Sequence, residues 1–209
     1  MDIKQYNDPW PHFVVDNFLP DHLFKELLDN EKEFINLFKE TYDTSKQHLV
    51  WNQNQVGESI VLKSINDELF HKYVAMFPEL NECYTNLRNH FLENHNKYIK
   101  EFYEKLSKNQ HPKGFYFGVQ IQAPNYKYGI HPDSPHKMMS TVVFLSEKNV
   151  GTWLYKSIKQ DYNKPTKKVE WKPNRALIFV RGDNTFHSFH TKIKDKYRFT
   201  LSYNLTDGT

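Results

Sequence analysis

The sequence predicts an α+β protein with a mainly β core, helices first and strands later. Up to about residue 111 the apolar residues recur at helical spacings. Beyond it they alternate, or cluster in short β-branched runs separated by turn residues. Short strands at close spacing imply a sandwich or a barrel, and helices that precede them pack on one side of the sheets. A single domain is therefore expected over residues 1–209, with 1–111 as mainly helical support and 112–209 as the β core.

Phe13-Val14-Val15 and Phe18-Leu19 form a short apolar segment closed by Pro20. Asp21 is placed to cap a helix. That helix runs to about Glu40, carrying Leu23, Phe24, Leu27, Leu28, Phe34, Ile35, Leu37 and Phe38 at roughly helical spacing. A second helical run spans Asn66 to Phe77 and stops at Pro78. A third extends from about Asn81 to Lys108. Its Cys83, Leu87, Phe91, Tyr98, Phe102 and Leu106 make one apolar stripe, as a packing face requires.

In the second half, Phe115 to Gln122 alternates between Gly114 and Pro124, and Met138 to Ser146 is rich in apolar and β-branched residues. Thr152 to Ser157, Lys167 to Trp171, Arg175 to Arg181 and Tyr197 to Leu205 complete the expected strands. Turn residues separate them at Glu147 to Gly151, Asn163 to Thr166, Pro173-Asn174 and Gly182 to Asn184.

Composition narrows the function classes. With 16 Phe, 13 Tyr and 4 Trp against 7 Gly, the chain has the apolar content of a folded protein and not of a disordered one. A formal charge of +3 is slight, and the densest basic stretch, Lys164 to Lys172, reads as a solvated hairpin; no nucleic-acid partner is expected. Cys83 is the sole cysteine, which excludes an internal disulfide and a zinc finger and fits a reducing compartment. No apolar run reaches the roughly 18 residues of a membrane span, and Met1 to Trp10 lacks the pattern of a signal peptide, so a cytoplasmic protein is expected.

The sharpest local feature is His131-Pro132-Asp133. In extended chain, residues two apart project to the same side, so His131 and Asp133 can reach one ion. Pro132 cannot donate to a sheet ladder, which places the tripeptide at a strand end or in a loop. Alone, such a tripeptide occurs by chance. His187 follows 56 residues after His131, just beyond the turn Gly182-Asp183-Asn184, and His190 competes with it as a third ligand. Two imidazoles and one carboxylate, without thiolates, suit iron(II) with open positions rather than structural zinc.

Arg198 adds the second half of the pattern. Arg198, Thr200, Ser202 and Asn204 share one face of the last strand; Tyr197, Phe199, Leu201 and Tyr203 share the other. If the polar face points inward, Arg198 is a buried cation that is costly unless an anion pairs with it. A dicarboxylate meets that need, because guanidinium matches carboxylate in a two-bond fork, with Thr200 or Ser202 adding a hydroxyl. If the apolar face points inward, Arg198 faces solvent. The alternation does not choose between the two.

From Tyr128 to Leu205 the chain resembles the 2-oxoglutarate/iron(II) oxygenase superfamily, and within it the prolyl 4-hydroxylase-like members of bacterial and viral type. The resemblance rests on Tyr128-Gly129-Ile130-His131-Pro132-Asp133, the strand Thr141-Val142-Val143-Phe144-Leu145-Ser146, Gly151-Thr152, Pro173-Asn174-Arg175-Ala176-Leu177-Ile178-Phe179, then His187 and Arg198 eleven positions on. The opening Pro11-His12-Phe13-Val14-Val15-Asp16-Asn17-Phe18-Leu19-Pro20 is also similar. It implies a double-stranded β-helix, or jelly roll. It implies iron held by His131, Asp133 and His187, with 2-oxoglutarate anchored by Arg198 and helped by Tyr128, Thr200 or Ser202.

The reaction it implies is hydroxylation of a substrate C–H bond by O2, with 2-oxoglutarate decarboxylated to succinate and ascorbate supportive. Peptidyl proline is the nearest substrate by resemblance, beside a free amino acid or another small molecule. The sequence departs from the family at Phe144, where many members carry a cosubstrate-holding Tyr, and at the missing glycine before Gly151. Tyr128, Tyr155 or Ser202 are the candidates to replace the lost hydroxyl. A non-catalytic or 2-oxoglutarate-independent cupin-like metal-binding module is the competing expectation. Specificity is expected from loops 42–60, with Trp51, and 156–168.

Overall fold

The structure is a computed structural model that describes residues 1–44, 55–56, 59–63, 78–107 and 111–208. Its strands form two antiparallel sheets. The larger places β1 (Asp2–Tyr6), β2 (His12–Asp16), β10 (Arg175–Val180), β7 (Lys137–Phe144), β12 (Arg198–Thr206), β5 (Gly114–Gln122) and β4 (Ser59–Lys63) side by side. The smaller runs β3 (Gln55–Val56), β6 (Lys127–His131), β11 (Phe186–His190), β8 (Thr152–Tyr155) and β9 (Lys167–Val169). From β5 to β12 the chain passes back and forth between the sheets, staying on one only for the β8–β9 hairpin. This is the double-stranded β-helix.

Two apolar layers hold it. Phe13, Val15, Val119, Ile121, Val143, Ile178, Phe199, Leu201 and Leu205 cover one face of the large sheet. They pack on α1 (Asp21–Asp29), α2 (Glu31–Thr44) and α3 (Pro78–Tyr98) through Leu27, Phe34, Leu37, Phe38, Leu80, Leu87 and Phe91. The ring of Phe91 stacks on Tyr203 at 4.4 Å and lies 5.3 Å from Phe117. The other face, carrying Val14, Phe144, Leu177 and Phe179, meets Leu154 and Val169 of the small sheet, with Trp10 closing the edge. The orientation of β12 follows. Its apolar side goes to the helices, so its polar side goes between the sheets.

Several local expectations change. Asp21 does not cap its helix: Pro20 occupies the cap and Asp21 is the first helical residue. The expected helix over 21–40 is two, broken at Asn30, whose side chain donates to the Glu26 carbonyl at 3.0 Å and so satisfies a helix-end acceptor. Pro78 opens α3 instead of only ending a run, since a helix's first turn needs no proline N–H. Beyond Tyr98 the helix loosens into a π turn over Ile99–Tyr103 and ends at Leu106. The run expected at 66–77 lies outside the described residues.

The first half is also more than helical support, because β1 and β2 extend one end of the large sheet, β4 the other, and β3 edges the small one. Among the described residues no helix is long and apolar enough to cross a membrane.

The backbone around Gly151 leaves no room for a side chain. A Cβ there would run into the Val169 carbonyl and come 3.0 Å from the Trp171 nitrogen, so the chain entering β8 passes against the backbone leaving β9. Gly151→Ala is expected to cost about 1–3 kcal/mol through that collision. Phe91→Ala, which empties a fully buried site between α3 and the sheet, is expected to cost about 3–5 kcal/mol. Urea denaturation of each variant measures both.

Candidate metal centre

The site is built by small irregularities in two short strands. His131 is the last residue of β6 and stands opposite His187 of β11. Between that pair and the next, Tyr128 with Phe189, β6 advances three residues while β11 advances two. This bulge keeps Tyr128 and His131 on the same inner face, their rings edge to face at 3.9 Å. Pro132 then ends the ladder, and Asp133 turns back toward both histidines.

The ligating atoms of His131, Asp133 and His187 lie within 4.8 Å of one another, with His187 Nε2 at 4.0 Å from Asp133 Oδ2. Ligands about 2.1 Å from an ion stand at most about 4.2 Å apart, so small rotations close the set. Each imidazole donates its Nδ1 proton to a carbonyl two residues earlier: His131 to Gly129 at 2.8 Å, His187 to Thr185 at 3.0 Å. A carbonyl only accepts, so both tautomers are fixed with the Nε2 lone pairs aimed at the common point.

The electrostatics match. Burial, then the adjacent His187, pushes His131 down to about 3. Burial also lowers His187, against the pull of Asp133. Burial would raise Asp133, but Lys137, His187 and the Ser140 hydroxyl outweigh it and hold the carboxyl well below its usual range. Lys137 Nζ sits 2.8 Å from Oδ1, and Ser140 Oγ donates to Oδ2 at 2.6 Å. Two neutral imidazoles and one ionised carboxylate form a donor set ready for a divalent cation.

In the same inter-sheet space, Arg198 is 1% exposed. It donates to Gln122 Oε1 at 3.2 Å and to the Val150 carbonyl at 3.3 Å, with Thr200 Oγ1 at 3.5 Å. Its guanidinium lies 3.9 Å over the Phe189 ring, with Trp171 and Phe144 further off. No carboxylate comes within ion-pair reach among the described residues, and burial lowers its pKa to about 9. Among the described residues it is a desolvated cation with neutral hydrogen-bond partners.

Ser202 and Thr200 share the inner face of β12 with Arg198, and both are buried. Tyr155 does not: it lies on the outer face of the small sheet, its hydroxyl hydrogen-bonded with Ser188 and donating to the Tyr162 carbonyl. Phe144 is an inner-face wall residue, stacked on Trp171 at 4.6 Å. His190 is three positions along β11 and outside the triad. Most of loop 42–60, including Trp51, lies outside the described residues.

Lys137, Ser140, Tyr116 and Gln122 are site residues that the sequence pattern did not single out. Tyr116 and Gln122 alternate visibly on β5, but which face was inner was not; Lys137 and Ser140 come to one face only through an irregularity in the pairing of β7 with β12.

No family model matches this sequence, and no curated protein matches it. Solved structures do share its fold. A Pseudomonas putida prolyl-4-hydroxylase aligns with TM-score 0.50 and 14% identity, over 92% of this chain and 90% of that one. A prolyl hydroxylase from Trichoplax adhaerens, in complex with a hypoxia inducible factor oxygen degradation domain peptide fragment, aligns with TM-score 0.52 and 15% identity, over 93% and 82%. A rice dioxygenase for auxin oxidation gives TM-score 0.58 and 11% identity, over 93% and 73%. At these identities the likeness is one of fold: the chain has the jelly roll of this oxygenase class, prolyl 4-hydroxylases included.

The depressed histidine pKa values set a pH prediction. Ordinary imidazoles, with pKa about 6.5, lose about tenfold of their neutral form each by pH 5.5. Here His131 stays neutral well below that pH and burial moves His187 in the same direction, so cobalt(II) affinity of the folded protein is expected to fall less between pH 7 and 5.5 than the roughly hundredfold of two ordinary imidazoles. Asp133→Ala is expected to abolish binding. Isothermal titration checks both.

Proposed function

We propose that this protein is an iron(II)- and 2-oxoglutarate-dependent dioxygenase that hydroxylates a C–H bond, prolyl 4-hydroxylase-like, on a peptidyl or amino-acid substrate. The observation that carries it is the buried Arg198, with no carboxylate partner among the described residues, in the same inter-sheet space as His131, Asp133 and His187, where its charge acts on His187. A metal site alone needs no such cation; a dicarboxylate cosubstrate does.

The donor set fits iron(II): two Nε2 lone pairs and one carboxylate oxygen, with no thiolate. When bound, iron(II) with O2 and 2-oxoglutarate supplies the oxidation of the substrate carbon, with loss of CO2 and formation of succinate. The chain's own residues do the rest. His131, Asp133 and His187 hold the metal, and Ser140 and Lys137 keep the Asp133 carboxylate in place.

Arg198 binds the distal carboxylate of 2-oxoglutarate and orients the molecule, with Thr200 beside it and Ser202 further along the same strand face. Tyr128, packed edge-on against His131, lines the same cavity. Phe189, Phe144 and Trp171 wall Arg198 from water, which strengthens its pull on an anion. A 2-oxoglutarate-independent cupin-like module would use the triad and leave Arg198 without a purpose.

Arg198→Ala is expected to raise the 2-oxoglutarate concentration for half-maximal succinate formation on the order of 10²-fold, with cobalt(II) still bound. Purified protein with iron(II) and ascorbate that neither binds 2-oxoglutarate nor yields succinate would sink the proposal.

A further inference from the structure

Lys137 is turned into the cavity by a second bulge. Asn204 pairs with Ser140 and Leu205 with Met139, but Thr206 pairs with Lys137. β7 therefore spends an extra residue at Met138, and Met138 and Met139 both sink into the helix-side core. Without the bulge, alternation would send Lys137 toward the helices. With it, Nζ lies 2.8 Å from Asp133 Oδ1, and the Lys137 side chain is only 19% exposed. The Tyr116 hydroxyl lies against it. On the other side of Asp133, Arg181 Nε donates to the Asp133 carbonyl at 3.3 Å, and its ion partner Asp183 is 91% exposed, so that pair holds it weakly.

Charge balance then distinguishes the cations, on the iron and 2-oxoglutarate reading given above. In the structure described, Lys137 and Asp133 neutralise each other. In the loaded site, Asp133 and the proximal carboxylate of 2-oxoglutarate balance the divalent ion, and the distal carboxylate balances Arg198. Lys137 keeps a largely desolvated ammonium beside a carboxylate now engaged by metal. A buried charge in that state calls for a new anion.

We propose that the substrate supplies it. The hydroxylated molecule carries a carboxylate that pairs with Lys137 Nζ, with Arg181 as the rim contact. The site therefore selects small acids, free amino acids among them, over the neutral interior of a peptide. The Lys137–Asp133 contact also links the two sites, because a metal that draws on the Asp133 carboxylate weakens its hold on Lys137 and leaves the ammonium to attract the substrate.

The test uses the whole 209-residue chain loaded with cobalt(II) and 2-oxoglutarate, oxygen excluded. It is titrated with free amino acids and with simple aliphatic and aromatic acids, each beside its own amide. The cobalt visible spectrum and the heat of binding are followed. At least one acid is expected to bind about tenfold or more tightly than its amide. Lys137→Gln is expected to erase that preference and Lys137→Arg to keep it. A panel in which no acid outbinds its amide overturns the proposal and leaves the cofactor reading standing, as does a preference that survives Lys137→Gln. A cobalt spectrum that 2-oxoglutarate does not alter overturns both.

Discussion

Arg198 lies between the two sheets with no anion to answer it among the described residues, and the arrangement of the inter-sheet space depends on that burial. Desolvation of a guanidinium is tolerable only where neutral acceptors and aromatic faces replace water, and Gln122, the Val150 carbonyl and Phe189 do so here. Those contacts leave the charge itself uncompensated. The polar inner face of β12 is the geometric cause, because its apolar alternate residues are already committed to the helices. Removing the helical layer would remove the reason for the strand to face this way. The helices thus set the chemistry of a cavity that they do not line.

Two bulges refine what the fold provides. The one in β6 brings Tyr128 and His131 to the same face; the one in β7 brings Lys137 to Asp133. In a regular strand each of these pairs would be split across the sheet. An extra residue breaks the ladder locally, yet it concentrates four functional side chains at one end of the barrel. Carbonyls two residues upstream then fix both imidazole tautomers, so the site is organised before any ion enters.

The charges of the cavity form a series of dependent pairings. Asp133 is held ionised by Lys137 and Ser140 despite its burial, while the histidines are held neutral by the same burial. A cation entering at the triad alters what Lys137 must pair with, and an anion entering at Arg198 does not relieve it. On the proposed function, metal, cosubstrate and substrate are three charges that answer Asp133, Arg198 and Lys137 in turn.

Much of this was legible in the sequence. The members of the triad were, because His131-Pro132-Asp133 at a strand end and His187 after a turn are local features, and Arg198 was, but only as a lone cation on the polar side of its strand. The six strands of the second half that alternate or carry β-branched runs were also visible. β6 and β11 were not expected as strands, being five residues each with glycine or histidine inside them. β1 was missed because it is a largely exposed edge with no apolar alternation. What sequence could not decide was direction and phase. Whether Arg198 faced solvent or cavity depended on which side of β12 the helices covered, a contact between residues about a hundred positions apart, such as Phe91 and Tyr203. Lys137 remained invisible for a related reason. A bulge is created by the pairing of β7 with β12, and no residue within β7 announces it. The sequence by itself determined which donors exist and where each stands along its strand. The tertiary structure decided which way they point, because the face of a strand becomes inner or outer only when a second layer packs against it.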